Sequence, residues 1–300
     1  PVSTWTDLSP SSNNATQSGG ARPTYKTASM NGFPVVSFDG VDDYMNLSSL
    51  ITPNFSTSIY VTRVNGSTGN YQILLKTSIA NSPTGIWGTY YKKWISSNQN
   101  LSSTPKILTH QELTSTSQSK IYTNGAINKI DNNGTSGSAS SSTIGSNFSS
   151  GSPLQFLNGD IAEIIVFNNV TIYDINLDLV WNYLSSKYNI TIANDFYAFD
   201  ATHPHEGIGV GNNGGISHQA AKGRGIVRLQ NPTSLGTAGR YCLIGHDNGS
   251  LAASTNVPSG WTGRRVTRTW RVDNTNYSGN YKLTFDLGGI SIDSSSDYVL

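Results

Sequence analysis

An all-β protein is what this sequence predicts: a jelly-roll β-sandwich with one closing helix, followed by a second, smaller β-sandwich. Three observations carry that expectation. Strand-length runs, apolar or alternating, recur along the 300 residues. Turn residues punctuate them, with Asn-Gly pairs at 31–32, 65–66, 124–125, 133–134 and 158–159. Asn-Gly readily takes the positive φ of a hairpin turn. Charged residues make up only 12% of the chain, so Ser, Thr, Asn and Gly supply most of its polarity. That is about half the usual charged share, and the mixture suits short strands joined by many turns. With 15 Tyr, 9 Phe and 6 Trp, a core can form and disorder is excluded for most of the length.

The first strands are read at Pro34–Phe38, Ser58–Val64, Tyr71–Lys76 and Ile86–Tyr91. Further runs follow at Lys106–Leu113, Ser119–Gly125 and Asp160–Phe167. The stretch 132–143, rich in Ser, Gly and Asn, reads as a loop. One segment breaks the pattern. Between Tyr173 and Thr191, Leu177, Val180, Trp181, Leu184 and Tyr188 recur at three- and four-residue steps. This is the apolar stripe of an amphipathic helix. Asp174 is suited to cap its start, Lys187 matches the dipole near its end, and Asn189 is a stop signal. A lone helix after many strands predicts a domain end, so the expected units are 1–192 and 193–300. The second unit resumes as β at Gly225–Asn231, Arg240–Asp247, Arg264–Val272 and Tyr281–Gly288.

Composition narrows the function classes. Net charge is +1, which argues against a nucleic-acid partner. No apolar run reaches the ~20 residues of a membrane-spanning helix. The start, Pro1–Trp5, is polar and shows no signal peptide, so the chain reads as a mature or excised piece. The single cysteine, Cys242, forms no internal disulfide and is expected as a buried, inert thiol. A nearly Cys-free, Asn/Ser/Thr-rich β chain fits a secreted or cell-surface location that does not rely on disulfides.

Several stretches then carry a family resemblance. They are VSTWTDLSPSSNNATQ, RPTY, NGFPVVSFDGVDDYMNL, KIYTNGAIN and GDIAEIIVFN. Together they resemble a laminin-G-like, concanavalin A-like jelly roll, in the form found in bacterial (Bacteroidota-type) cell-surface proteins. The helix ending YLSSKYNIT resembles the segment that closes that domain. HPHEGIGVGNNGGISHQAAKGRG, YCLIGHDNG and RRVTRTWRV resemble a β-rich domain of unassigned function that follows it. The resemblance covers nearly the whole chain and implies architecture more than biochemistry, because this fold hosts many functions. In the family a strand usually precedes VSTW. Here Pro1 falls where that strand would just have ended, so the expectation is either that this piece omits an edge strand or that a neighbouring chain or segment supplies it, the open edge then being a route to self-assembly.

Candidate sites follow from residue chemistry. Asp39, Asp42 and Asp43 lie in FDGVDDYMNL. They read either as a turn held by Asx hydrogen bonds around Gly40 or as carboxylate ligands for calcium. The related jelly rolls add weight to calcium as a cofactor. Trp87, Tyr90, Tyr91 and Trp94 form the best aromatic cluster for stacking on a sugar or meeting a surface protein. Asp160 and Glu163 are the nearest match to a glycosidase carboxylate pair. Their spacing puts them on opposite faces of a strand unless a bulge intervenes. His203, His205 and Glu206 cluster in HPHE, which reads as a turn or a weak zinc motif. GIGVGNNGG (207–215) lacks the strand–helix–strand context of a dinucleotide site and reads as a Gly-rich turn. Strand alternation in RRVTRTWRV puts Arg268 on the core side, with Asp247 as its expected acid partner.

The expectation is a non-catalytic module pair, binding a glycan or a surface protein for adhesion. A structural subunit of a surface filament or layer is the second class. A concanavalin A-like glycoside hydrolase is the weakest.

Overall fold

The structure is a computed structural model. It describes residues 1–51, 55–65, 71–77, 83–87, 90–93, 95–100, 103–113, 118–131, 141–149, 151–168, 170, 172–260, 262–288 and 290. The fold is all-β apart from one helix, Asp174–Tyr188. The chain divides into two compact units, Pro1–Ile172 and Tyr173–Leu300.

The first unit is a two-sheet sandwich. One sheet runs Thr4–Trp5, Ala15–Thr16, Met45–Leu47, Thr143–Ile144, Tyr71–Lys76, Pro83–Trp87, Tyr90–Lys93, Ile95–Asn100. The other runs Ala126–Asp131, Gln118–Thr123, Lys106–Leu113, Phe55–Val64, Asn158–Asn168, Phe33–Asp39, Thr24–Met30. Neighbouring strands pair antiparallel throughout. The core lies between the sheets. Ala15, Met45, Leu75 and Ile144 face Val36, Phe38, Tyr60, Leu108, Ile121 and Ile161. Successive strand side chains point to opposite faces, so Val35, Ile59, Val61 and Ile107, which neighbour these residues in sequence, are buried on the other face of their sheet.

The Asn-Gly expectation holds at two hairpins. Asn31-Gly32 (φ 45° and 77°) joins Thr24–Met30 to Phe33–Asp39, and Asn124-Gly125 (φ 50° and 76°) joins Gln118–Thr123 to Ala126–Asp131. Asn158-Gly159 behaves differently and opens the strand Asn158–Asn168. A Cβ at Gly159 would stand 2.7 Å from the Arg63 carbonyl oxygen, so this glycine serves close strand approach. The other two pairs reach outside the described residues.

The second unit is layered. One sheet runs Ile216–His218, His205–Asn213, Arg240–His246, Trp270–Thr275, and a second runs Ala220–Lys222, Val227–Gln230, Lys282–Phe285. Val210, Cys242, Ile244, Val227 and Leu229 form the core between them. On the other face of the first sheet, Tyr241 and Leu243 meet Ile175, Leu179, Phe196, Tyr197 and Phe199. Both faces of Arg240–His246 are therefore covered, which accounts for its unbroken apolar run. Cys242 is fully buried, and burial pushes its thiol pKa up to about 12, as an inert thiol requires.

The helix departs from the expected boundary at 192. Ile175 and Leu179 pack within the second unit, and Asp178 accepts hydrogen bonds there from Tyr241 Oη and Asn213 Nδ2, both 2.7 Å. The unit therefore starts at Tyr173. The predicted stripe residues Leu177, Trp181, Leu184 and Tyr188 are buried, and Val180 is half-buried. Tyr173, not Asp174, holds the N-cap position, and no side chain caps it; Asn189 ends the helix in the left-handed conformation (φ 52°).

GIGVGNNGG is also not a turn. Most of it lies in the strand His205–Asn213 under the helix. A Cβ on Gly209 would come within 2.8 Å of Leu179, and one on Gly211 within 3.0 Å of Ile175. The glycines let helix and sheet approach closely.

Candidate functional site

The Asp39–Asp43 turn follows the strand Phe33–Asp39, where the chain leaves one sheet for the other. Its geometry is set locally. Asp39 Oδ1 accepts the Val41 N–H (2.8 Å) and the Asp42 N–H (3.3 Å), an Asx turn around Gly40 at φ 81°. Asp43 Oδ2 accepts the Asp39 N–H at 3.0 Å. The second carboxylate tied into the turn is thus Asp43. Asp42 is exposed, its N–H donates to Asp39, and its own carboxylate holds no hydrogen bond of the turn.

The three carboxylates each bring an oxygen within 4.8 Å of the others. Among the described residues this is the one such cluster of His, Cys, Asp and Glu suited to a metal ion. Asp43 is buried, with Asp39 and Asp42 exposed above it. Burial first, and then the Asp39 charge, raise the Asp43 pKa above the ordinary carboxylate value. The donor set is all oxygen and hard, which fits calcium better than zinc. Three carboxylates fall short of calcium's six to eight oxygens, so carbonyls and water must complete any shell.

The aromatic cluster is placed only in part. The backbones of Trp87, Tyr90 and Tyr91 lie in paired strands, with Trp87 opposite Tyr90 and Ile86 opposite Tyr91. Their side chains, and Trp94 altogether, lie outside the described residues.

Asp160 and Glu163 test the hydrolase idea. The pairing of Asn158–Asn168 with Phe55–Val64 shifts register between Ile161 and Glu163. Asp160 stands opposite Arg63 and Glu163 opposite Val61, so the bulge does bring both to one face. Yet Asp160 is fully buried and bound: Arg63 Nη2 at 2.7 Å, Arg63 Nε at 2.8 Å and Asn65 Nδ2 at 3.1 Å. Burial by itself raises its pKa. The hydrogen bonds of Ser37, Arg63 and Asn65 and the Lys26 charge outweigh that and hold it below the ordinary value. A glycosidase acid needs the opposite shift.

The second unit holds another polar cluster. The Asn248 N–H donates to His246 Nδ1 at 2.9 Å, so the ring proton sits on Nε2 and is donated to Glu206 Oε2 at 2.9 Å. Desolvation lowers the His246 pKa, which keeps the ring neutral. Glu206 adopts a left-handed φ of 51°. Ile208, Gly225, Ile244 and Trp270 line the small cleft beside it. Arg268 corrects the expected pairing with Asp247: its Nη1 lies 3.9 Å from Glu206 Oε2 and its Nε donates to the Gly249 carbonyl at 2.8 Å. Asp247 accepts the Thr269 hydroxyl at 2.6 Å instead. Alternation failed here because the strand begins only at Trp270. His203 bonds Thr202 and Thr269, whereas His205 stacks on His246 with centroids 5.7 Å apart, so HPHE forms no zinc set.

Residues 221–300 match a family described as a domain of unknown function (DUF8202). The match leaves out the helix and the strand His205–Asn213, both parts of the same compact unit. No curated protein matches the chain. Solved structures give distant likenesses. One is domain 4 of AbnA, a GH43 extracellular arabinanase from Geobacillus stearothermophilus, in complex with arabinotriose. It is 14% identical, with a TM-score of 0.40 over 52% of this chain and 80% of its own. A heptameric SAP-like pentraxin from Limulus polyphemus is 14% identical, with a TM-score of 0.37 over 52% and 83%. The binding domain of botulinum neurotoxin DC, in complex with rat synaptotagmin II, is 13% identical, with a TM-score of 0.40 over 88% and 78%. At these scores no ligand or partner is carried across.

Proposed function

We propose that the chain is a non-catalytic recognition module of a secreted or surface protein, binding glycans at a calcium-dependent loop of its first unit. The observation that carries this reading is the Asp39–Asp43 turn, with three carboxylates within 4.8 Å. Such crowding of negative charge is relieved by a divalent cation. A calcium ion there would offer open coordination positions to sugar hydroxyls, beside the exposed Asp42. The capture of Asp160 by Arg63 and Asn65 supports a role without catalysis.

The test is binding of the purified chain to a glycan array with calcium and with a chelator. Calcium is expected to raise the thermal midpoint and to be required for glycan binding. Asp42→Ala should remove both effects while leaving the chelated protein's midpoint unchanged, because the Asp42 carboxylate carries no bond of the turn and its N–H is kept. Glycan binding that survives chelation would overturn the reading.

A further inference from the structure

The three-stranded sheet of the second unit has one apolar and one cationic face. Its strands Ala220–Lys222, Val227–Gln230 and Lys282–Phe285 turn Ala221, Val227, Leu229, Leu283 and Phe285 into the core. The alternate residues, Lys222, Arg228, Gln230, Lys282 and Thr284, therefore share the other face. Lys222, Arg228, Lys282 and Thr284 are exposed, and Gln230 is half-buried. Pairing sets Lys222 directly opposite Arg228, with Thr284 on the other side of Arg228. Lys282 stands opposite Gln230, one diagonal step from Arg228.

Facing cations cost a sheet stability, whereas facing opposite charges add to it. Here no side-chain ion pair or hydrogen bond relieves Lys222, Arg228 or Lys282 among the described residues. The unit does not lack acids: it carries ten acidic and ten basic side chains. They are placed elsewhere. Asp286, next along the chain, lies past the strand end, where its carboxylate accepts the Gly288 N–H at 3.1 Å. Glu206 is held by His246, and Asp247 by Thr269. The cations are thus gathered on an open face without their counter-charges. Charge complementarity fits that face to a partner with several negative groups.

We infer that this face docks an anionic polysaccharide, whose repeated carboxylate or sulfate groups meet Lys222, Arg228 and Lys282. Opposite positions of a sheet lie about 5 Å apart and diagonal ones about 7–8 Å, so the three charges suit a chain of repeated anions better than one ion. Arg228, in the middle, is able to hold a carboxylate or sulfate by two parallel N–H bonds. Gln230 and Thr284, set between the cations, offer donors and acceptors to sugar hydroxyls. The face presents no aromatic ring on which a nucleobase would stack and no large apolar side chain to enter a bilayer. All three cations fall within residues 221–300, the stretch matched to a domain of unknown function. The saccharide class rests on the glycan-recognition reading; the cationic face itself depends on neither calcium nor the aspartate turn.

The test titrates the full chain with polygalacturonate, dextran sulfate and plain dextran, all in chelator, which silences the aspartate turn. The two anionic polymers should bind and plain dextran should not. Binding should fade as salt approaches roughly 1 M, where exposed charges are screened within about 3 Å. Arg228→Gln should weaken it roughly twofold to fivefold, the worth of an exposed charge pair. Replacing Lys222, Arg228 and Lys282 together by Gln should reduce it to the level of plain dextran. These exposed substitutions remove like-charge repulsion, so the thermal midpoint should hold or rise, which separates lost binding from lost folding. Arg264→Gln, exposed and outside this sheet, should bind as the wild type does. Equal weakening by Arg264→Gln and Arg228→Gln would reduce the effect to general attraction and overturn the inference. Unchanged binding by the triple variant would also overturn it. Tighter binding of anionic lipid vesicles or single-stranded DNA than of either polymer would overturn the saccharide class. Failure of the anionic polymers alone, with calcium-dependent glycan binding intact, would sink this inference and spare the first reading; binding of no glycan under any condition would remove both.

Discussion

Single carboxylates divide the work of this protein between a turn and a sealed ion pair. Asp43 and Asp160 are both buried, yet their acidities move in opposite directions. Asp43 is desolvated and lies beside the Asp39 and Asp42 carboxylates, so its folded pKa is raised. Such a group binds its proton more tightly when folded. Stability therefore falls as pH rises from the unfolded value, about 3.9, through the raised folded value. In chelator, Asp43→Asn should flatten that fall in a pH series of thermal melts while keeping the Asp39 N–H bond. A mutant melting curve with the same pH slope would contradict this. Asp160 has Arg63, Asn65 and Lys26 about it, and its folded pKa is lowered. Its stabilisation is complete above the unfolded value and is lost as pH falls through the folded one. Asp160→Ala should cost about 3 kcal/mol in denaturant unfolding, the low end for a broken buried pair, because Arg63 keeps part of its side chain in water.

At the scale of elements, the tight packing is between the helix Asp174–Tyr188 and the strand His205–Asn213. Two glycines clear the space, at Gly209 for Leu179 and at Gly211 for Ile175 and Tyr241. A Cβ at Gly211 would fall 2.6 Å from the Tyr241 ring, which itself stacks on Phe196 at 3.9 Å. Gly211→Ala should therefore destabilise by about 1–3 kcal/mol, the cost of overpacking. Near-ultraviolet circular dichroism should register the displaced Tyr241. A mutant with wild-type stability would show that helix and strand can part without loss. The bulge after Ile161 is the matching device in the first unit, returning Glu163 to the face of Asp160.

At the scale of the whole molecule, the unit boundary matters for any dissection. A fragment of residues 173–300 keeps Ile175 and Leu179 over Tyr241 and Leu243. A fragment of residues 193–300 strips them off and exposes that apolar face. The longer fragment should melt cooperatively. The shorter one should melt earlier and bind a hydrophobic dye. Equal midpoints would return the helix to the first unit. Edge-to-edge assembly through Thr4–Trp5, which pairs only with Ala15–Thr16 among the described residues, calls for light scattering across a concentration series. A constant monomer mass would dismiss it.

What the sequence by itself determined was local. Alternating runs set most strands, Asn31-Gly32 and Asn124-Gly125 set two hairpins, a three-and-four stripe set the helix, and FDGVDDYMNL set the aspartate turn. Each depends on neighbours within a few residues, where backbone preference and periodicity decide the outcome. Tertiary structure decided the rest. The bulge beside Glu163, the glycine strand beneath the helix and the exchange of Arg268's partner depend on which distant strands come together. So does the paired row Thr4, Thr16, Asn46, Thr143 and Lys76, whose members lie on five strands of one sheet. A lysine closing the run YQILLK looks like an exposed strand end. Only the folded sheet shows that this side chain is buried, because burial belongs to the neighbours that a strand acquires on folding.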